Sequence, residues 1–160
     1  MHEFLLAVCK WLESTSAARV TRESLWVYPF VQLIHFTGLS LWVGTIAIVD
    51  LRFLGLAGRR QPAAQFAEQF IPWTWTGFCI GVLGGGLLFS SAASTFLVNP
   101  AFEIKFLLVL LGLACHIVVQ RKAGKWGGAT EIPIVAKLAT FTELALWIGV
   151  IVAAVEIPNH

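Results

Sequence analysis

Charged residues are scarce in this chain: only 12% of its 160 residues are Asp, Glu, Lys or Arg, while 58% are hydrophobic. This balance excludes an ordinary soluble domain, in which about a quarter of the residues are charged. The net charge of +2 comes from scattered basic residues. Without an RNA-binding or zinc-finger motif, this excludes a nucleic-acid surface. The length permits one domain, so we predict a single membrane domain over residues 1–160.

Sulfur ligands are also scarce. The three cysteines, Cys9, Cys79 and Cys115, form no CxxC or CxxCH motif, which excludes a zinc knuckle, a thioredoxin-like motif and covalent c-type haem attachment. The single methionine is Met1. Because Cu(I) prefers thiolate and thioether ligands, copper transport is disfavoured.

Long apolar segments are what the chain has in place of charge. Each of the four segments is long enough to cross the hydrocarbon core of a bilayer, about 30 Å thick, as a helix. They cover about residues 25–49, 71–94, 102–120 and 133–157. The sequence therefore predicts an all-α, integral membrane four-helix bundle.

The N-terminal segment, residues 1–24, is too short and too interrupted by charge to be a fifth span. Its apolar residues follow helical spacing on one face: Phe4, Leu5, Val8, Trp11 and Leu12. This pattern is typical of a short helix lying in the membrane interface.

Basic residues predict the orientation. Four fall on the side of the N-terminal segment and the second connection, and seven fall on the side of the first and third connections. Since cytoplasmic loops carry the excess of Lys and Arg, we expect both termini to face outward.

The second span carries Gly77, Gly81 and Gly85 at four-residue spacing. Small residues at this spacing let a neighbouring helix approach closely. The stripe therefore marks a helix contact, either within the bundle or with a partner.

Ionisable residues at bilayer depth are costly, so the few present are candidate functional residues. His35 lies near the centre of the first span, and Gly38 and Trp42 follow it on the same helical face. We expect Gly38 to leave room for a flat ligand and Trp42 to contact the edge of that ligand.

The third and fourth spans carry a second set of polar groups. Lys105, Gly112 and His116 share one face of the third span, and Glu143 lies deep in the fourth. A carboxyl at that depth needs a proton or a partner, and a histidine is the obvious candidate.

Imidazoles on facing helices are the axial ligands that haem iron takes, and such sites are built in bundle cores. We therefore predict that the bundle holds a haem b through His35 or His116, with Glu143 accepting a hydrogen bond from the second imidazole nitrogen. The alternative is that each histidine only forms a hydrogen bond across helices, which would stabilise the bundle by about 1 kcal/mol.

Depth ranks the candidate ligands. His35 and His116 lie about 15 and 21 Å from the outer ends of their spans, and counting from the inner ends widens the mismatch. Two axial ligands need similar depth, so we rank His35 first, His116 second and Lys105 third. The alternative for Lys105 is an interfacial side chain paired with Glu103.

Several motifs occur along residues 25–155, including Pro-Trp-Thr-Trp at 72–75 and Asp-Leu-Arg at 50–52. Together they resemble a family of small bacterial inner-membrane proteins of unassigned function. This resemblance implies a four-helix fold in a bacterial inner membrane, with both termini periplasmic by the charge count.

A shorter pattern combines His35, Trp42 with a glycine after it, and Lys105 at the start of the third span. It is similar to the small membrane protoporphyrinogen oxidases, haem-binding four-helix proteins that use a histidine and a lysine, and to copper-resistance D-type membrane proteins. The oxidase resemblance implies haem, but we do not transfer the enzyme activity.

Three functions follow as hypotheses. The first is electron transfer by a haem b protein, as the membrane subunit of a redox complex, with a redox partner or a second copy of the chain. The second is a cofactor-free scaffold or assembly factor that binds a partner through the glycine-rich second helix. The third is movement of protons or a small solute through Glu143 and the histidines.

Overall fold

The computed structural model describes residues 2–58, 60–129 and 131–157, and within these ranges the chain forms seven helices and no strand. They are α1 (His2–Glu13), α2 (Ser16–Glu23), α3 (Val27–Phe53), α4 (Ala63–Ser91), α5 (Ala93–Leu97), α6 (Pro100–Gly127) and α7 (Ile134–Glu156). The predicted all-α class is confirmed. By length and composition, α3, α4, α6 and α7 could each cross a membrane.

The outer surface of these four helices is apolar. Only 17–28% of the residues in their most apolar windows are buried inside the molecule, and large side chains such as Phe36, Leu83, Leu107 and Phe141 are more than half exposed. An apolar surface of this extent suits lipid rather than water.

Three of the four long helices extend past the predicted spans: α3 at its end, α4 at its start and α6 at both ends. We expected the second span to begin near residue 71, but the helix begins at Ala63 and Pro72 lies inside it. A proline is tolerated there because only one helical hydrogen bond is lost. The break expected before the third span is present: α6 begins at Pro100, and the Asn99 side chain accepts a hydrogen bond from the backbone N–H of Phe102.

The N-terminal segment forms two helices where one was predicted. The apolar face of α1 that includes Phe4 and Trp11 is exposed, while Cys9 on another face is buried. A hydrogen-bonded turn at Ser14 separates α1 from α2. Thr15 then starts α2 by accepting from the backbone N–H of Ala18. The exposed apolar face remains available for the predicted interfacial position.

Helices α3 and α4 pack backbone to backbone through glycine. A Cβ built on Gly38 would collide with the backbone of Gly81, and a Cβ on Gly77 would meet the backbone of Trp42. A Cβ on Gly84 would lie 2.9 Å from His35 Cα. The glycine stripe of α4 thus marks a helix contact, as expected, and the contacting helix is α3 of the same chain.

The interior of the bundle is layered. One apolar cluster contains Trp42, Ile46, Trp147 and Val150. A second cluster lies toward the loops that join α3 to α4 and α6 to α7; it consists of Phe53, Ala63, Ala67, Val119, Ala123, Trp126 and Ala136. Buried polar residues lie between the two clusters.

Candidate functional site

The imidazole of His35 is held against α4. Its Nδ1 lies 2.7 Å from the carbonyl oxygen of Gly81, and a Cβ on Gly85 would approach the ring to 2.8 Å at Cε1. A carbonyl only accepts, so Nδ1 donates the proton and Nε2 keeps its lone pair. His35 is half-buried, so its ring has a fixed orientation and a free acceptor nitrogen.

The space beside Gly38 is filled, which corrects the expectation that this glycine leaves room for a flat ligand. The backbone of Gly81 occupies that position because two glycines let α3 and α4 touch. Trp42 also has protein neighbours: its ring centroid is 4.8 Å from that of Phe78 and 4.4 Å from that of Trp147. Neither Gly38 nor Trp42 faces an open cleft.

Lys105 lies near the start of α6 and is half-buried. Its ammonium group is close enough to His35 to act on the imidazole electrostatically. In the described part of the chain the ion pairs are Arg22 with Glu23 and His116 with Glu143, so the predicted pairing of Lys105 with Glu103 is not formed. The structure therefore brings Lys105 and His35 into one region.

A second site contains His116 and Glu143. The Nδ1 atom of His116 lies 2.8 Å from Glu143 Oε1, across α6 and α7. Glu143 is fully buried and His116 is 8% exposed. The expectation that a histidine would partner Glu143 is confirmed, since both groups are too deep to be satisfied by solvent.

Asp50 completes this second site and was missed in the sequence. It lies one turn from the end of α3, a position that predicts an interfacial residue, yet it is only 1% exposed. Asp50 and Glu143 are close enough to act on each other electrostatically. Next to them Thr74 donates a hydrogen bond to Thr45, with 2.9 Å between the hydroxyl oxygens.

A cavity of about 140 Å³ adjoins this layer. Its polar lining consists of Thr45, Asp50, Glu68, Thr74, His116 and Gln120. Typical small-molecule pockets measure about 300–1,000 Å³, so a haem does not fit in this cavity. Haem ligation by His116 stays a prediction, and this cavity does not support it.

The two histidines lie at different depths. His35 contacts α4 at Gly81 and Gly85, whereas the ring centroid of His116 is 6.1 Å from that of Trp75. These positions are six to ten residues apart on α4, or about 9 to 15 Å at 1.5 Å per residue. One haem cannot take both as axial ligands, in agreement with the depth mismatch in the sequence.

Metal and haem sites place different demands on these donors. In the ranges that the structure describes, no group of three or more His, Cys, Asp or Glu side chains is placed to hold a metal ion. Haem iron needs only one or two axial donors. The donor set at His35, an oriented imidazole with Lys105 nearby, fits that need.

Comparison with known proteins gives one match. A family model described as a family of unknown function, DUF6644, matches residues 8–157. The chain belongs to this family. No curated protein and no solved structure matches it, so the similarity of this DUF6644 member to protoporphyrinogen oxidases and copper-resistance D-type proteins stays a prediction from short motifs.

Proposed function

We propose that this protein binds one haem b through His35 and transfers electrons within a bacterial inner membrane. The observation that carries the proposal is the 2.7 Å hydrogen bond from His35 Nδ1 to the carbonyl of Gly81. Iron-binding histidines commonly donate their other ring N–H to such an acceptor, which fixes the tautomer and orients the ring.

Lys105 is the proposed second donor. It comes from α6 and lies in electrostatic range of His35 on α3, so the two residues approach one region from different helices. His116 is not part of this site because it contacts α4 near Trp75, about 9 to 15 Å along the helix from the contacts of His35 with Gly81 and Gly85.

The residues have separate tasks in this proposal. The haem would supply a one-electron redox couple when bound, and its potential depends on the axial donors and on the polarity around them. His35 would hold the iron, and the carbonyl oxygen of Gly81 orients the imidazole by accepting a hydrogen bond from Nδ1. Gly85 provides the close approach that seats the ring against α4.

An absorption spectrum tests the proposal. The protein would be expressed in haem-replete cells, purified in mild detergent and recorded as a reduced-minus-oxidised difference spectrum. We expect b-type bands at one haem per chain. The complete absence of these bands, with the protein folded by circular dichroism, would refute the proposal.

Substitutions test the ligand assignment. We expect His35→Ala to lose the haem and Lys105→Met to keep less haem or to change its spectrum. His116→Gln is the matched control, since this residue also lies on a long helix but outside the proposed site and glutamine keeps a side-chain donor for Glu143. Haem retained in His35→Ala would overturn the assignment.

The glycine stripe of the scaffold hypothesis, Gly77, Gly81 and Gly85, faces α3 of the same chain. A partner chain could reach this face only by displacing that helix. Binding of a partner is therefore better sought on the exposed apolar faces.

A further inference from the structure

Three buried polar atoms in one layer of the bundle have no hydrogen-bond partner among the described residues. They are Asp50 Oδ2, His116 Nε2 and Glu143 Oε2. All three residues are more than nine-tenths buried. Because nearly all buried polar groups are paired in folded proteins, a cluster of three without partners indicates that the site holds a ligand.

The cavity supplies a route to this cluster. Asp50 and His116 line it, and its volume of about 140 Å³ accommodates a few water molecules at about 30 Å³ each. Glu68, Gln120 and Gly124 also line the cavity and are exposed or half-buried. The cavity therefore reaches the outer surface of the bundle between α4 and α6.

Charged and titratable groups face this layer from all four long helices. They are Asp50 on α3, Glu68 on α4, Cys115 and His116 on α6, and Glu143 on α7. His116 is the one group in this described set that can carry positive charge. A protonated His116 could neutralise one of the two buried carboxylates, so the second must bind a proton to avoid an unpaired charge at bilayer depth.

We propose that Asp50, His116 and Glu143 form a proton-binding site that exchanges protons with one side of the membrane through the cavity between α4 and α6. Glu68 is the carboxyl at the mouth, and the hydroxyls of Thr45 and Thr74 line the inner wall. The three groups lie in one buried layer, so a proton bound at one of them changes the charge that faces the other two.

Exchange is confined to one side because the aromatic layer closes the other. The ring centroids of Trp42 and Trp147 lie 4.4 Å apart, and each tryptophan is only 2% exposed. Trp147 also faces Gly112, where a Cβ would lie 3.1 Å from the indole ring. This packing places two indole rings between the polar layer and His35, and the Nε1 atoms of both rings also lack a hydrogen-bond partner among the described residues.

The donor set favours a proton over a metal ion. Nδ1 of His116 already lies 2.8 Å from Glu143, and no group of three or more His, Cys, Asp or Glu in the described ranges is placed to bind a metal. Tight binding of a divalent cation at this site, abolished by Asp50→Asn, would replace the proton assignment.

Infrared difference spectroscopy of the purified protein in lipid nanodiscs tests the site. We expect a carbonyl stretching band from a buried protonated carboxyl, which shifts in deuterated buffer and changes intensity with pH. Asp50→Asn and Glu143→Gln should each remove or shift it, while Glu23→Gln, at an exposed carboxyl, should not. No such band in the wild type, or one unchanged in both buried variants, would overturn the proposal.

A second measurement tests the route. Gly124 has open space around it, with nothing within 4 Å of a built Cβ, so Gly124→Leu should fill the mouth without straining the fold. We expect the shift of the carboxyl band in deuterated buffer to become at least tenfold slower. Gly86→Leu is the control, because Gly86 is equally open but lies on α4 and does not line the cavity. An unchanged rate in Gly124→Leu would reject this route.

This inference does not depend on haem. The band should persist in His35→Ala, so loss of haem and loss of proton binding are separate results.

Discussion

His116 Nδ1 and Glu143 Oε1 lie 2.8 Å apart in the interior of the bundle, between α6 and α7. The same two helices are also joined by a hydrogen bond from Cys115 Sγ to the carbonyl oxygen of Ala139. Removing one partner leaves the other buried without a hydrogen bond, which costs more than the bond itself contributes.

We therefore expect Glu143→Leu to lower the free energy of unfolding by about 1–3 kcal/mol. Glu143→Gln keeps an acceptor for His116, so its loss should stay within about 1 kcal/mol. Unfolding in mixed detergent micelles measures both values. Equal stability of the two variants would show that the hydrogen bond does not stabilise the fold.

Close packing at Gly38 gives a second prediction. A Cβ there would collide with Gly81, so Gly38→Ala should force α3 and α4 apart and destabilise the bundle by about 1–3 kcal/mol. Gly44 is on the same helix with nothing within 4 Å. Gly44→Ala should be neutral or stabilising by up to about 1 kcal/mol, because alanine favours helix. Similar effects of the two substitutions in detergent unfolding would contradict this account.

A third prediction concerns the seat of His35. A Cβ on Gly85 would lie 2.8 Å from His35 Cε1, so Gly85→Ala should displace the imidazole. We expect a lower haem content or a shifted b-type spectrum in this variant. Gly86→Ala, next along the chain and free of close contacts, should leave the spectrum unchanged. Identical spectra for both variants would argue against iron binding at this ring.

Glu13 gives a prediction on pH. Its carboxylate accepts hydrogen bonds from the backbone N–H and hydroxyl of Ser94, at 2.7 and 2.6 Å, and these bonds lower the pKa of Glu13 below its ordinary value of 4.5. A lowered folded-state pKa means that the contact stabilises fully above about pH 4.5 and is lost as the pH falls through the folded value. Acid should therefore release α1 from α5.

Hydrogen exchange at the Ser94 amide measures this release. We expect protection to fall in acid in the wild type, beyond the change that pH causes in an unstructured peptide. Glu13→Gln should show weaker protection that does not depend on pH in this range. Full wild-type protection below the folded-state pKa would contradict the prediction.

The orientation is also open to test. Topology reporters fused to the C-terminus and placed in the loop between α3 and α4 should report opposite sides of the membrane. We expect the C-terminus to be periplasmic, because the first and third connections carry seven of the basic residues and the other side carries four. A cytoplasmic C-terminus would reverse the side from which protons enter the cavity.

The sequence predicted the number and type of the long helices because long apolar runs leave few alternatives. It also predicted a histidine partner for Glu143, since a deep carboxyl needs one. Asp50 was missed because an acid near the end of an apolar run is typical of an interface. Asp50 lies near the first turns of α4, where Ala67 packs in the same cluster as Phe53. These turns were not predicted, because Pro72 indicated that the helix begins there.

Gly38 shows a different limit. Its position one turn from His35 predicted room for a flat ligand, and the absence of a side chain does permit a close approach by a neighbouring group. Only the three-dimensional pairing of α3 with α4 identifies the occupant as the backbone of Gly81. A glycine pattern on one helix predicts that something comes near, but not what.

Pro72 lies inside α4, one turn after a residue that lines the cavity. It has no N–H to donate to the carbonyl four residues earlier, which belongs to Glu68, a residue that lines the cavity. A helix bends most easily where this bond is missing. The backbone of α4 therefore has one restraint fewer beside the mouth of the cavity than along the rest of the helix.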